Sequence, residues 1–359
     1  YRLLWVVVAA NAIAIVLQVA VSLVTAATGS NLATLIAQRW PRLSPAFWAI
    51  FQGAAMATDV AEFSGIVLGV ELLFHLSLLA SVAIGLIIIA AVLACTDRRS
   101  KALEYGLIGA VALISIGCLY QIPLLHPIWS AVALGAITPR VPDAGALVLV
   151  IGIIGATVMP HNLFLHSSLI EKNYENCDPL ERRRRHSFFT KETFVALNVA
   201  ALINGGILIV GAALHGADGS MQHAFASLLP LGGGAAVIFG GALLISGVAA
   251  STTATVSGDY IFAAFSPVKI SSAVRRAVTI VPAAIVIASG ISITNLLVWS
   301  QVALAFVLPV VLVPLVLIML SMRGKGLAAI GYRLTGLVAG VSFLCAGFDA
   351  VMIVQILHP

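Results

Sequence analysis

Charge is scarce in this chain: Asp, Glu, Lys and Arg make up 9% of its 359 residues, hydrophobic residues make up 61%, and mean hydropathy is +1.10. A soluble domain of that length could not wet such a surface, so the composition excludes one. Cysteine is scarce as well. Cys95, Cys118 and Cys345 lie within or at the ends of apolar runs and Cys177 lies in a polar stretch, which excludes a disulfide framework and leaves reduced thiols. Two catalytic strings are missing. No His-Glu-x-x-His exists in the chain, and Ser257-Gly258-Asp259 lacks the preceding glycine of membrane aspartyl proteases, so an enzyme is not expected. Residue 1 is Tyr1 rather than Met, and no signal-peptide pattern opens the chain; the expectation is one further helix upstream, running from inside to outside.

What the chain has in quantity is apolar runs long enough to cross a hydrocarbon core, at about 20 residues each. They fall near residues 3–25, 46–69, 72–95, 104–121, 146–169, 192–214, 229–262, 277–294, 298–321 and 332–355. The expected fold class is therefore all-α, a polytopic membrane protein with about ten helices forming one transmembrane domain over residues 1–359. The run at 229–262 is rich in glycine and could hide a broken helix. If the first run passes from outside to inside, the inner loops hold 17 of the 19 Lys and Arg residues, including Arg98, Arg99, Lys269, Arg275, Arg276, Arg323 and Lys325, and only Arg2 and Arg140 stay outside. One miscounted helix would scramble that split, so it supports both the span count and external ends for the chain. The net charge of +5 then needs no nucleic-acid partner. Residues 181–186 read as a solvated cytoplasmic loop in reach of anionic lipid.

Inside the fifth run stands Met159-Pro160-His161-Asn162. Pro160 has no N–H to donate to the carbonyl four residues earlier, so the oxygen of Ala156 loses its helical partner. A free carbonyl, a thioether and an imidazole then share one depth in the bilayer, as in the unwound helices that hold ions in transporters; the alternative is a kink packed against neighbouring helices. Intramembrane acids are the other rarity. Asp59 and Glu62, at i and i+3, share one face of the second run, and adjacent carboxyl groups titrate as a unit, which suits a proton carrier. The alternative is a structural pair satisfied by hydroxyls or by Arg275 or Arg276, which begin the eighth run. Glu71 reads as interfacial, and Asp259 and Asp349 as structural. His161 is a candidate proton carrier beside the break, with His166 a possible second stop. Gln301 offers an amide oxygen at the start of the ninth run, and Gly65, Gly152 and Gly155 read as close helix packing.

At these residues the chain resembles the Nramp (natural resistance-associated macrophage protein) family of proton-coupled divalent metal transporters. The likeness rests on Met159-Pro160-His161-Asn162 continuing through His166-Ser167 and on Ala57-Thr58-Asp59-Val60-Ala61-Glu62. Ser246-Gly247, Ser257-Gly258, Arg275-Arg276-Ala277-Val278-Thr279 with Pro282, Ser300-Gln301-Val302 and Val313-Pro314-Leu315 follow in the family's order. The resemblance implies a LeuT-like inverted-repeat fold that imports Mn2+, Fe2+ and similar ions by alternating access. It further implies the Ala156 carbonyl, the Met159 sulfur and Gln301 as metal ligands. Asp59, Glu62 and His161 would then handle protons, with Arg275 and Arg276 on the exit route. Metal and proton are substrates in this reading, the bilayer is the partner, no resident cofactor is expected, and a bacterial inner membrane is the expected location.

Departures from the family are as informative. Its Asp-Pro-Gly-Asn motif, whose Asp and Asn complete the metal site, does not occur here, and the residues from Tyr1 to Trp5 resemble the start of the family's second helix. Asp259 stands where the family usually has Gln, and Gln52 about where some members have an acid. Two other functions stay open at this point: a cation-coupled symporter of another solute on the same fold, and a transport-inactive fragment.

Overall fold

The computed structural model describes residues 1–97, 101–174, 177–214, 220–231, 233–266, 268, 270–322 and 331–357. Of the residues named above, Arg98, Arg99, Lys269, Arg323 and Lys325 lie outside them. Among the described residues the fold is helical throughout, with no strand. Fourteen α-helices follow in order: α1 (Leu4–Thr28), α2 (Leu32–Arg39), α3 (Ser44–Phe74), α4 (Leu78–Asp97), α5 (Lys101–Leu124), α6 (Trp129–Ile137), α7 (Ala144–Val158), α8 (Pro160–Asn173), α9 (Pro179–Ala213), α10 (Met221–Leu228), α11 (Gly233–Phe265), α12 (Ser272–Ala288), α13 (Ile293–Ser321) and α14 (Tyr332–Leu357). Each of the ten apolar runs coincides with a helix or, in the fifth, with the broken pair α7 and α8.

By length and composition, six segments among the described residues can cross a membrane: α1, α7 with α8, α9, α11, α13 and α14. The apolar stretches of α4 and α5 are shorter, α12 has 17 residues, and α3 is 31 residues long but carries Asp59, Glu62 and Glu71. The outer surface is apolar, with Phe343 79% and Leu113 72% exposed, whereas Asp59 and Arg276 are 1% and 2% exposed. That inversion is what a hydrocarbon solvent demands of a helix bundle.

Two elements differ from the sequence reading. Residues 181–186 are helical rather than a loop, because Asp178 caps α9 through a 2.7 Å bond from the Glu181 N–H and Pro179 fills the first helical position. The arginine-rich run is the opening of a 35-residue helix, tied to α1 by a 3.0 Å bond between Ser22 Oγ and His186 Nδ1. The glycine-rich seventh run, in turn, is unbroken from Gly233 to Phe265; its glycines serve packing.

Apolar burial gives little drive between helices in lipid, so close approach of backbones has to supply it. A Cβ on Gly155 would collide with the Gln301 carbonyl oxygen and lie 3.0 Å from the Ala305 nitrogen, so a glycine is what lets α7 press on α13 at this height. A Cβ on Gly247 would lie 2.8 Å from the Glu62 carbonyl oxygen, which seats α11 against α3 beside the two acids. An aromatic cluster closes the centre, with Phe51 4.9 Å from Phe164 and 5.3 Å from Phe265, ring centre to ring centre.

Gly155→Val should therefore cost about 1–3 kcal/mol or more through overpacking, read as a lower melting temperature of the purified protein in detergent. Gly53→Ala, where an added Cβ meets nothing within 4 Å, should leave the melt unchanged.

Candidate functional site

The break between α7 and α8 organises the site. The last bond of α7 runs from the Met159 N–H to the Gly155 carbonyl at 3.2 Å, and the next begins α8, from the Asn162 N–H to the Met159 carbonyl at 3.0 Å. Pro160 supplies the first residue of α8, where its missing N–H costs nothing to the new helix. Met159 absorbs the change of direction at φ 26° and ψ 108°, a left-handed backbone that a side-chain-bearing residue holds only when its surroundings impose it. Its sulfur accepts a 3.4 Å contact from the Asn162 amide, which fixes the thioether beside the break.

Gln301 stands across from this point on α13, brought there by the Gly155 contact. Its side-chain oxygen is buried and has no hydrogen-bond partner among the described residues. Ala156, one residue past Gly155, lines a cavity of about 500 Å³ between α1, α7 and α9 that Ile153, Thr157 and Asn204 also face. The structure thus sets the backbone of Gln301 against Gly155, the residue before Ala156, while the cavity at Ala156 opens toward α1 and α9 and is lined by neither Met159 nor Gln301. Among the described residues no three His, Cys, Asp or Glu side chains converge, so a cation held at the break would rest on carbonyl, thioether and amide donors.

The two acids are close to the break on its α8 side. His161 is 7% exposed, its Nδ1 lies 3.3 Å from Thr58 Oγ1, and its carbonyl accepts a 2.8 Å bond from Ser257 Oγ. Thr58 Oγ1 also donates to the Ala54 carbonyl at 3.0 Å. A hydroxyl has one hydrogen to give, so Thr58 donates to the Ala54 carbonyl or to His161 Nδ1, not to both at once. One residue after Thr58, Asp59 accepts from the Arg276 guanidinium; the same guanidinium lies 3.7 Å from Glu62 Oε2 and also bonds Ser251 Oγ. Arg276, one of the partners raised for this pair, faces both acids, yet Asp59 Oδ2 and Glu62 Oε2 have no hydrogen-bond partner among the described residues.

Arg275, only 3% exposed, turns the other way, to Asp259 Oδ1 at 2.8 Å and to the Thr255 carbonyl at 2.5 Å. A cavity of about 20 Å³, room for one water, lies among Thr58, Asp59, His161, Gly258, Arg275 and Arg276. His166 is set apart: its Nε2 is buried without a hydrogen-bond partner among the described residues. Asp349 is buried on α14, where Phe348 and Met352 pack against α7 and α13.

Sequence reasoning missed Thr58, Ser251, Thr255 and Ser257. Their signal was present, since five of the residues 251–257 are Ser or Thr inside an apolar run. What could not be read was which of those hydroxyls face inward.

A model of the Nramp family, described as natural resistance-associated macrophage protein-like, matches residues 1–355. The divalent metal cation transporter MntH of Burkholderia ambifaria is 38% identical over 363 residues, covering 98% of this chain and 81% of that protein. The protein of the same name from Acidiphilium cryptum is 38% identical and covers 99% of this chain and 84% of its own length. A solved manganese transporter of Eremococcus coleocola superposes with a TM-score of 0.83 at 27% identity, over 98% of this chain and 79% of that one. The fold is thus the LeuT-like arrangement of the Nramp structures, with α7 and α8 as its broken helix. A family match over residues 1–355 of 359 accounts for almost every residue described above: this chain belongs to the Nramp family, whose members move metal ions across membranes rather than transform them.

Proposed function

We propose that the chain, acting as one transmembrane domain, imports divalent transition metal ions, Mn2+ and Fe2+ first, in exchange for the free energy of protons moving the same way. The single observation that carries this reading is the helix break at Met159–Pro160 with Gln301 packed against it. The Ala156 carbonyl, the Met159 sulfur and the Gln301 amide oxygen are the ligands this chain brings to the ion. A thioether favours manganous, ferrous and softer ions over Ca2+ and Mg2+, which prefer shells made only of oxygen. Three donors leave part of an octahedral shell to water or to further protein groups.

Asp59, Glu62, His161, Arg275 and Arg276 make up the proton route, with His166 as a possible second stop. His161 links the metal level to the acids through Thr58, and one guanidinium faces two carboxyl groups. The charges of Asp59, Glu62 and Arg276 cancel when the two acids hold one proton between them, which makes that proton the natural unit to load and release. Rocking of one helix repeat against the other about the break would expose the site alternately to each side. The charge split of the loops supports a bacterial inner membrane with both ends of this chain external.

Mn2+ uptake into liposomes containing the protein tests the ligand set. Met159→Ala should lower the apparent affinity by about tenfold, a loss of about 1.4 kcal/mol, and should let Ca2+ compete more strongly; uptake with unchanged affinity would remove the sulfur from the site. The acid pair has its own test in thermal unfolding. Arg276→Gln leaves two buried carboxyl groups without their cation and should cost about 3–5 kcal/mol. Adding Asp59→Asn to that variant should restore part of the loss, a coupling that independent residues would not show.

A further inference from the structure

Asp259 differs from the other carboxylates of the polar column in reaching the surface of the chain. Its side chain is 42% exposed, whereas those of Asp59 and Glu62 are 1% and 8% exposed and that of Arg275 is 4% exposed. Both of its oxygens are held from α12: Ser272 Oγ donates to Oδ2 at 2.9 Å and Arg275 Nε donates to Oδ1 at 2.8 Å. Arg275 also lines the water-sized cavity that Asp59, Arg276 and His161 share, and Gly258, the residue before Asp259, lines it too. A buried carboxylate and one that reaches the surface are thereby joined across one cavity and one guanidinium. The guanidinium cannot itself pass a proton, since arginine stays charged in proteins. It can hold the carboxylate and a cavity water in place.

We propose that Asp259 is the exit terminus of the proton route. The inference rests on the proton-coupled reading above. A proton leaving Asp59 is taken up by water in the cavity, which gives its own proton to the Asp259 carboxylate, and Asp259 returns it to solvent; one O–H bond breaks for each that forms, and the column ends with the charge it began with. The charged groups around Asp259 are Arg275 from α12, with Arg276 behind it facing α3. From α8 comes Lys172, whose ammonium lies 5.0 Å over the ring of the adjacent Tyr260.

Liposomes containing the protein, loaded with one dye for Mn2+ and one for pH and held at a fixed membrane potential, give protons moved per metal. Asp259→Asn should lower that ratio by about tenfold, the scale of losing one positioned proton-transfer group, while Mn2+ binding to the purified variant stays at the wild-type value. Asp259→Glu should hold the ratio within about twofold of wild type. Ser272→Ala keeps both charges and frees one carboxylate oxygen; it should lower the ratio at least about twofold, and it decides the matter if Asp259→Asn does not fold. A wild-type ratio in Asp259→Asn, or in Ser272→Ala where only that variant folds, overturns the inference and leaves the proton-coupled reading standing. Loss of Mn2+ and proton flux in step would make Asp259 a packing residue and overturn it as well. Mn2+ uptake by the wild type without proton flux overturns both.

Discussion

One hydrogen bond that cannot form governs the middle of this protein. Pro160 has no N–H, and at this proline the helix stops at Val158 and starts again with Met159 at a positive φ in between, whereas Pro282, Pro309 and Pro314 sit inside unbroken helices. In hydrocarbon an orphaned carbonyl cannot turn to lipid, so the neighbourhood has to answer it. The rest of the arrangement follows from that demand: a glycine at 155 that lets α13 approach, a bare amide oxygen on Gln301, and a cavity that reaches Ala156. A soluble protein would satisfy the same gap with water and gain nothing from it. In the proposed function, the gap gives a desolvated cation somewhere to rest.

The second constraint is electrostatic. Three charges within α3 and α12 lie almost wholly out of water, and such a group is tolerated only when each member has its partners. Arg276 is shared by two acids, Arg275 is drawn off to Asp259, and α11 gives each arginine one further acceptor, while Asp59 Oδ2, Glu62 Oε2 and Arg276 Nε have no hydrogen-bond partner among the described residues. The two arginines are adjacent in sequence yet serve opposite sides of their helix. Splitting them in this way keeps one carboxyl group in excess inside the bundle.

Much of this was readable beforehand, for physical reasons that differ from case to case. Hydropathy located the helices, six of them long and apolar enough among the described residues to cross a membrane, because lipid imposes a length and a polarity on each. Proline chemistry located the break, since the defect is local to five residues. Asp59 and Glu62 were visible because charge in an apolar run is rare, and Arg276 could be offered as their partner before any coordinates. The Glu181 to His186 stretch was misread as loop although Asp178-Pro179 is a helix-start signature; the density of arginine outweighed the cap. The role of Asp259 was not readable, because its two partners follow it across a turn whose geometry no periodicity encodes. Nor was the approach of Gly155 to Gln301, which joins segments about 146 residues apart and depends on the register of two helices. The serines and threonines of α11 fall between these cases, conspicuous in composition and silent about direction.

Thr58 has a consequence that extends beyond its own contacts. Its hydroxyl lies within hydrogen-bond distance of both the Ala54 carbonyl and His161 Nδ1, so it pins the imidazole through one nitrogen. A ring anchored on that side cannot turn over without breaking the anchor. In the proposed proton route, the imidazole therefore works from one fixed orientation, with the hydroxyl as its hinge pin.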